Sequence, residues 1–163
     1  MPDKSTIEKA KKDKAEGKSA STQAGEFVHD EIEKIRKGEH GARNTKQAIA
    51  VGLSEARRAG VKLRTPGNAS AALKKKAKQD EERSKSKKPV SQKRSRARIK
   101  ALKKEPTNTV SKKALSKQAK SAAEKRSASN RSQAAKKASR TKGPAERSAA
   151  AKKAARTRAK NSK

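Results

Sequence analysis

Apolar positions fall into helical register in one stretch of this chain and thin out after it. Ala24, Phe27, Val28, Ile32 and Ile35 recur at spacings of three and four, the period of one helical face. Ser21 or Thr22 is placed to cap this helix. Lys34, Arg36 and Lys37 suit its C-terminal dipole, and Gly38 stops it. Asn44-Thr45-Lys46-Gln47 opens a second helix, with Asn44 as cap. Its stripe is Ile49, Leu53 and Ala56, flanked by Ala48, Val51, Gly52 and Ala59. Gly60 stands where a left-handed cap residue belongs, and Val61 is placed to pack back onto the last turn. A short 38–43 loop makes the pair an antiparallel hairpin over residues 21–64. Ahead of it, residues 1–20 read as a polar helix or arm. Ser5 and Glu8 fit a capping box there, and Gly17 ends the helix.

Beyond residue 64 the pattern weakens. Met, Ile, Leu, Val and Phe number 11 in residues 1–64 and 6 in residues 65–163. Thr65-Pro66-Gly67-Asn68 has the turn chemistry of a boundary, and Pro66, Pro89, Pro106 and Pro144 divide the remaining chain into pieces. Residues 65–106 read as a basic linker region, with lysine blocks at 74–76 and 85–88 around Asp80-Glu81-Glu82. Within it Ser91 is placed to cap a helix reaching Lys104, with Ile99 and Leu102 as its bulky residues.

Residues 107–163 read as an Ala/Lys-rich repeat tail. Ser111 is placed to cap a helix, with Val110 and Leu115 as a hydrophobic staple. Gly143-Pro144-Ala145-Glu146 has the signature of a helix start. A twelve-residue unit at 131–142 recurs at 147–158 with nine positions identical, and 116–126 is a weaker echo.

Charge sharpens this division. The chain holds 48 Lys+Arg against 16 Asp+Glu, a net charge of +32. Residues 1–64 carry 15 basic and 10 acidic residues, a net of +5, whereas residues 65–163 carry 33 and 6, a net of +27. A compact state with that charge repels itself, and a composition 39% charged and 29% hydrophobic buries too little apolar surface to offset its ordering entropy. The expected fold is therefore mainly α, a short helical hairpin head followed by a largely disordered, helix-prone basic tail. A hairpin of about 40 residues is marginal alone, so pairing of two copies into a four-helix bundle is expected, a homodimer through the hairpin.

The chemistry that is absent narrows function. With no cysteine, disulfide scaffolds, thiol nucleophiles and Cys-based zinc sites are excluded. No apolar run approaches the roughly 18 residues of a membrane span, and no signal-peptide pattern opens the chain. A soluble protein of the cytoplasm with no membrane partner is expected. His29 and Glu33 stand four apart, and Glu39 and His40 lie in the loop after them. A metal would need a third, rigid ligand, so an exposed i,i+4 pair is the better reading. There is no Gly-rich phosphate loop, no nucleophile elbow and no Ser-His-Asp constellation. The expectation is a non-enzyme with no metal, no cofactor and no small-molecule substrate.

The natural partner of such a tail is a polyanion. Like charges at helical spacing oppose helix formation in the free tail, and phosphates would neutralise them. Lys152, Arg156, Lys160 and Lys163 fall at spacings of 4, 4 and 3, a basic stripe that Lys153 and Arg147 widen. Lys136, Lys137 and Arg140 repeat the arrangement, and Arg158, Arg94, Arg96 and Arg98 complete the candidate DNA-binding set. With one Phe and no Tyr or Trp, there is no platform for base stacking, and no rigid element holds side chains against base edges. Nonspecific binding of duplex DNA through its phosphates is favoured. In the head, Arg57 and Arg58 sit where a helix dipole favours cations; they either serve that role alone or, together with Arg43, extend the footprint. Two alternatives stay open: an RNA- or ribosome-associated protein, and an adaptor whose helical head binds a protein partner.

Two segments carry resemblances. The stretch from Gly25-Glu26-Phe27-Val28-His29 through Lys46-Gln47-Ala48-Ile49-Ala50 and Leu53-Ser54-Glu55-Ala56-Arg57-Arg58-Ala59-Gly60 resembles a small bacterial and phage family of uncharacterised helical domains, which implies no site residues. The tail is similar in style to the Lys/Ala-rich arms of bacterial histone H1-like proteins, which implies nucleoid binding and compaction. The head departs from histone H1, whose globular part is a larger winged helix.

Overall fold

The computed structural model describes residues 3–86, 91–141 and 143–161. Pro89, Lys142 and Lys163 lie outside them. All regular structure among the described residues is helical: α1 (Lys4–Ala15), α2 (Ala20–Arg36), α3 (Thr45–Arg58), α4 (Ala71–Lys85), α5 (Gln92–Leu102), a single 3-10 turn at Asn108–Val110, α6 (Lys112–Glu124), α7 (Ala128–Thr141) and α8 (Pro144–Asn161). The mainly-α reading holds. The chain divides into two compact units, Met1–Gln118 and Ala119–Lys163.

In the first unit α2 and α3 form the expected hairpin. Asn44 accepts the Gln47 N–H at 2.9 Å, and the Gln47 side chain accepts the N–H of Arg43, the residue before the cap, at 2.8 Å. At the other end Gly60 takes φ +92°, donates to the Arg57 carbonyl, and lets the Val61 N–H reach the Ala56 carbonyl at 3.0 Å. Val61 is buried, as its position in that cap requires. Two start signals differ from expectation. Ser19, not Ser21 or Thr22, caps α2, accepting from Thr22 N–H at 3.4 Å. The helix α1 begins after Asp3 with no side-chain cap, so the Ser5–Glu8 box does not form; Asp3 instead pairs with Lys34 at 3.2 Å.

The packed face of α3 is also displaced from the sequence stripe. Ala48, Gly52 and Ala56 are buried, while Ile49 and Leu53 are only half-buried. Close approach explains this: a Cβ at Gly52 would lie 2.7 Å from Val28 Cα, so α2 and α3 meet backbone to backbone where the side chains are smallest. Phe27, Ala24, Ala56, Val61 and Ala10 of α1 form one core cluster, and Ile35, Ala42, Ala48 and Val110 form another.

Val110 reveals a return of the chain that the hydrophobic pattern does not announce. Thr45 donates to the Thr109 carbonyl at 2.7 Å, Thr109 donates to the Ala42 carbonyl at 2.9 Å, and Arg36 donates to the Val110 carbonyl at 3.3 Å. The Gly41 and Ala42 N–H groups donate to the carbonyls of Leu102 and Pro106. No Cβ fits at Gly41, because the Glu105 carbonyl occupies its place. Val110 is therefore a core residue of the hairpin. Within the chain, α1 and Val110 cover part of the hairpin's apolar face: Phe27 and Ile35 are buried, while Val28, Ile32, Ile49 and Leu53 are half-buried.

The second unit corrects the expectation of a largely disordered tail, since its described residues are mostly helical. Ala, Lys and Arg are the strongest helix formers. A like-charge pair at i,i+4 opposes them by only a few tenths of a kcal/mol. Starts are supplied locally: Ser127 accepts the Asn130 N–H, and Pro144 opens α8 with Glu146 in its first turn; in the first unit, Ser111 accepts the Ala114 N–H and opens α6. Apart from half-buried Ser121 and Ala154, every described side chain of this unit is exposed.

Candidate nucleic-acid interface

In α8 the basic residues are set by a rotation of about 100° per residue. Lys152, Lys153, Arg156 and Lys160 fall within an arc of about 100° on one side. Arg147 and Arg158 are eleven residues apart, so they lie close to one line on the opposite side. The stripe is thus not widened by Arg147; the helix is basic on two sides. All six are exposed. In α7 the same unit places Lys136, Lys137 and Arg140 together, again exposed, with Arg131 turned away and donating to the Arg126 carbonyl at 2.7 Å. Residues 119–163 hold 15 basic residues and only Glu124 and Glu146 as acids, so the great majority of these cations have no carboxylate to pair with inside the unit.

The other candidates lie in the first unit and separate by environment. Arg94 and Arg96 are exposed on α5, whereas Arg98 is half-buried and lines a hollow with Glu31. Arg58 is tied to the buried Asp80 and is not a free surface cation. Arg43 and Lys46 are exposed, with Arg43 3.9 Å from Glu105. Arg57 lines a shallow hollow of about 370 Å³ with Lys62, Arg64 and Lys85, beside Glu81 and Ser84.

In sequence, Asp80 reads as part of a charge block. It is 3% exposed, and its carboxylate accepts from Ser54 at 2.6 Å, Arg58 at 2.9 Å and Lys76 at 3.0 Å. Burial works to raise its pKa, but these three donors outweigh it and hold the carboxyl below its ordinary value. The missed signal is Ala77 and Asp80 three apart on the α4 face turned to α3.

A pair of buried carboxylates likewise escapes the sequence pattern. Glu31 of α2 and Glu55 of α3 are 3% and 7% exposed, and Glu31 Oε1 and Glu55 Oε2 have no hydrogen-bond partner. Burial raises the Glu31 pKa, opposed by His40 and reinforced by Glu55. His40 Nε2 lies 3.7 Å from the other Glu31 oxygen. Of the His29/Glu33 pair, His29 is exposed and Glu33 accepts from Arg36 at 2.8 Å. Among the described residues no group of three His, Asp or Glu side chains is placed to hold a metal, and no helix is long and apolar enough to cross a membrane.

Residues 11–66 match a family of unknown function, DUF6496, so the segment carrying α2 and α3 is similar to a small helical domain family. No curated protein and no solved structure matches the chain.

Proposed function

We propose that this chain is a nonspecific DNA-binding protein of the histone-like kind, which neutralises duplex phosphates with its C-terminal helices and so compacts nucleoid DNA. One observation carries the reading: α7 and α8 repeat an exposed cluster of three or four cations, in a unit with 15 basic residues and two acids. Phosphate contacts supply essentially all of nonspecific affinity, and they need charge density rather than a shaped pocket. The pair of α-helical clusters meets that need. The lack of aromatic side chains in residues 119–163 favours a duplex, whose bases are stacked already, over a single strand that would be held by stacking.

The test is a competition at fixed salt. A labelled duplex bound to the full chain is challenged with unlabelled duplex DNA and with a structured RNA hairpin of equal length. The reading expects DNA of unrelated sequences to compete equally and at least as well as the RNA. Displacement by the RNA at a tenfold lower concentration contradicts it and favours an RNA-associated role.

A further inference from the structure

We infer that the hollow at the C-terminal ends of α3 and α4 is a binding site for a chain of linked phosphates, free or carried by a nucleotide. Arg57, Lys62, Arg64 and Lys85 line it against one carboxylate, Glu81. Its volume is about 370 Å³, the space of about twelve water molecules at liquid density. A concavity lined by one sign of charge focuses the field and gathers counter-ions.

Packing holds its walls. Ser54 and Arg58 donate to Asp80 and so clamp α4 to α3. Val61 is buried and Leu63 half-buried, which fixes the segment that carries the exposed Lys62 and Arg64. The adjacent arginines of α3 divide, because one residue turns the helix by about 100°. Arg58 pairs with Asp80, whereas Arg57 meets no carboxylate. Among the described residues, Lys62, Arg64 and Lys85 also form no ion pair. Arg57 is half-buried and its Nε is closed off from solvent without an acceptor, so this cation has lost water and gained no anion. Contact with a ligand falls to the other N–H groups of its guanidinium, whose fork suits phosphate oxygens.

The remaining donors narrow the ligand. Ser84 donates to the Glu81 carbonyl at 2.6 Å, and the N–H groups of Gly60, Val61 and Leu63 reach the carbonyls of Arg57, Ala56 and Val61. Recognition therefore rests on the four cations. A single phosphate group brings at most about two negative charges, so a linked chain matches them better. Among the described residues no aromatic side chain lines the hollow, so a nucleobase finds no stacking platform and the phosphates are what is bound.

The test uses the full chain, labelled for amide NMR and titrated with inorganic triphosphate, with adenosine triphosphate and with sodium sulfate at matched ionic strength. Residue-resolved shifts read this site separately from the tail. Triphosphate is expected to give saturable shifts at the amides of residues 60–64 and 81–85 that sulfate does not reproduce, and the nucleotide is expected to bind no more tightly. Lys62→Gln with Arg64→Gln weakens triphosphate by about tenfold. Lys103→Gln with Lys104→Gln removes the same charge from exposed positions beside the start of α3 and leaves the affinity unchanged. At 1.5 Å per residue that place is about 20 Å from the hollow, beyond the screening length. Circular dichroism establishes that each variant keeps its helices; should the first lose them, Lys85→Gln gives the same reading from the α4 wall. Shifts that sulfate reproduces, equal weakening by both pairs of substitutions, a tenfold preference for the nucleotide, or no saturable shift overturn the inference.

Discussion

Arg58 Nε of α3 donates to Asp80 Oδ1 of α4 at 2.9 Å, joining two helices whose sequence reads as head and linker. Ser54 and Lys76 complete the shell of donors around the same carboxylate. The acidic triplet in the basic region is thus partly a structural anchor, and α4 belongs to the packing of the head.

Asp80→Asn is expected to destabilise the first unit by about 2 kcal/mol, the scale of a buried hydrogen-bonded charge. Urea unfolding followed by circular dichroism measures it. The sign with pH is set by the lowered Asp80 pKa. Its stabilisation is present above the unfolded carboxylate value of about 3.9 and is lost as pH falls through the folded value. An unchanged midpoint at pH 7 contradicts the anchor.

Glu31 acts in the opposite direction. Its folded pKa is raised by burial, so its ionised form costs stability once pH exceeds the unfolded value of about 4.3. Glu31→Gln is expected to raise the urea midpoint at pH 7, with the gain shrinking as pH approaches about 4. A midpoint lowered as much as by Asp80→Asn would show Glu31 to be stabilised by partners in the fold.

Two glycines separate close packing from helix propensity. A Cβ at Gly25 meets nothing within 4 Å, whereas one at Gly52 meets the backbone of Val28 at 2.7 Å. Gly25→Ala is expected to stabilise by about 0.5–1 kcal/mol. Gly52→Ala is expected to destabilise by about 1–3 kcal/mol through overpacking, less what propensity returns. Thermal unfolding of the two variants should move in opposite directions.

Val110 tests the return of the chain onto the hairpin. It is 1% exposed, so Val110→Ala is expected to cost about 2 kcal/mol and to expose the 103–111 segment to protease. Leu115→Ala, at a half-buried position, should have a smaller effect. Equal effects would return Val110 to the surface.

The hairpin is legible in the sequence because periodicity, the Asn44 cap and the Gly60 stop all point to one structure. What eludes the pattern is non-local. Val110 stands among polar residues, and nothing within a few positions of it signals the Ile35, Ala42 and Ala48 cluster it joins. Asp80 reads as part of a charge block because its burial depends on Ser54 and Arg58, donors distant in sequence. The tail reads as largely disordered only when its like charges are weighed above its alanine content. The repeated cations are legible, since they are local and periodic, but only a continuous α8 separates Arg147 and Arg158 from the Lys152–Arg156 side.

The most direct measurement is the salt dependence of duplex binding, read by fluorescence anisotropy with the full chain. If about ten phosphates are engaged, log K falls with log salt at a slope near about −9. Replacing Lys136, Lys137, Lys152, Lys153, Arg156 and Lys160 by glutamine should make that slope shallower by about 5, with the helices retained. A slope near zero, or one that these six substitutions leave unchanged, contradicts binding through the tail.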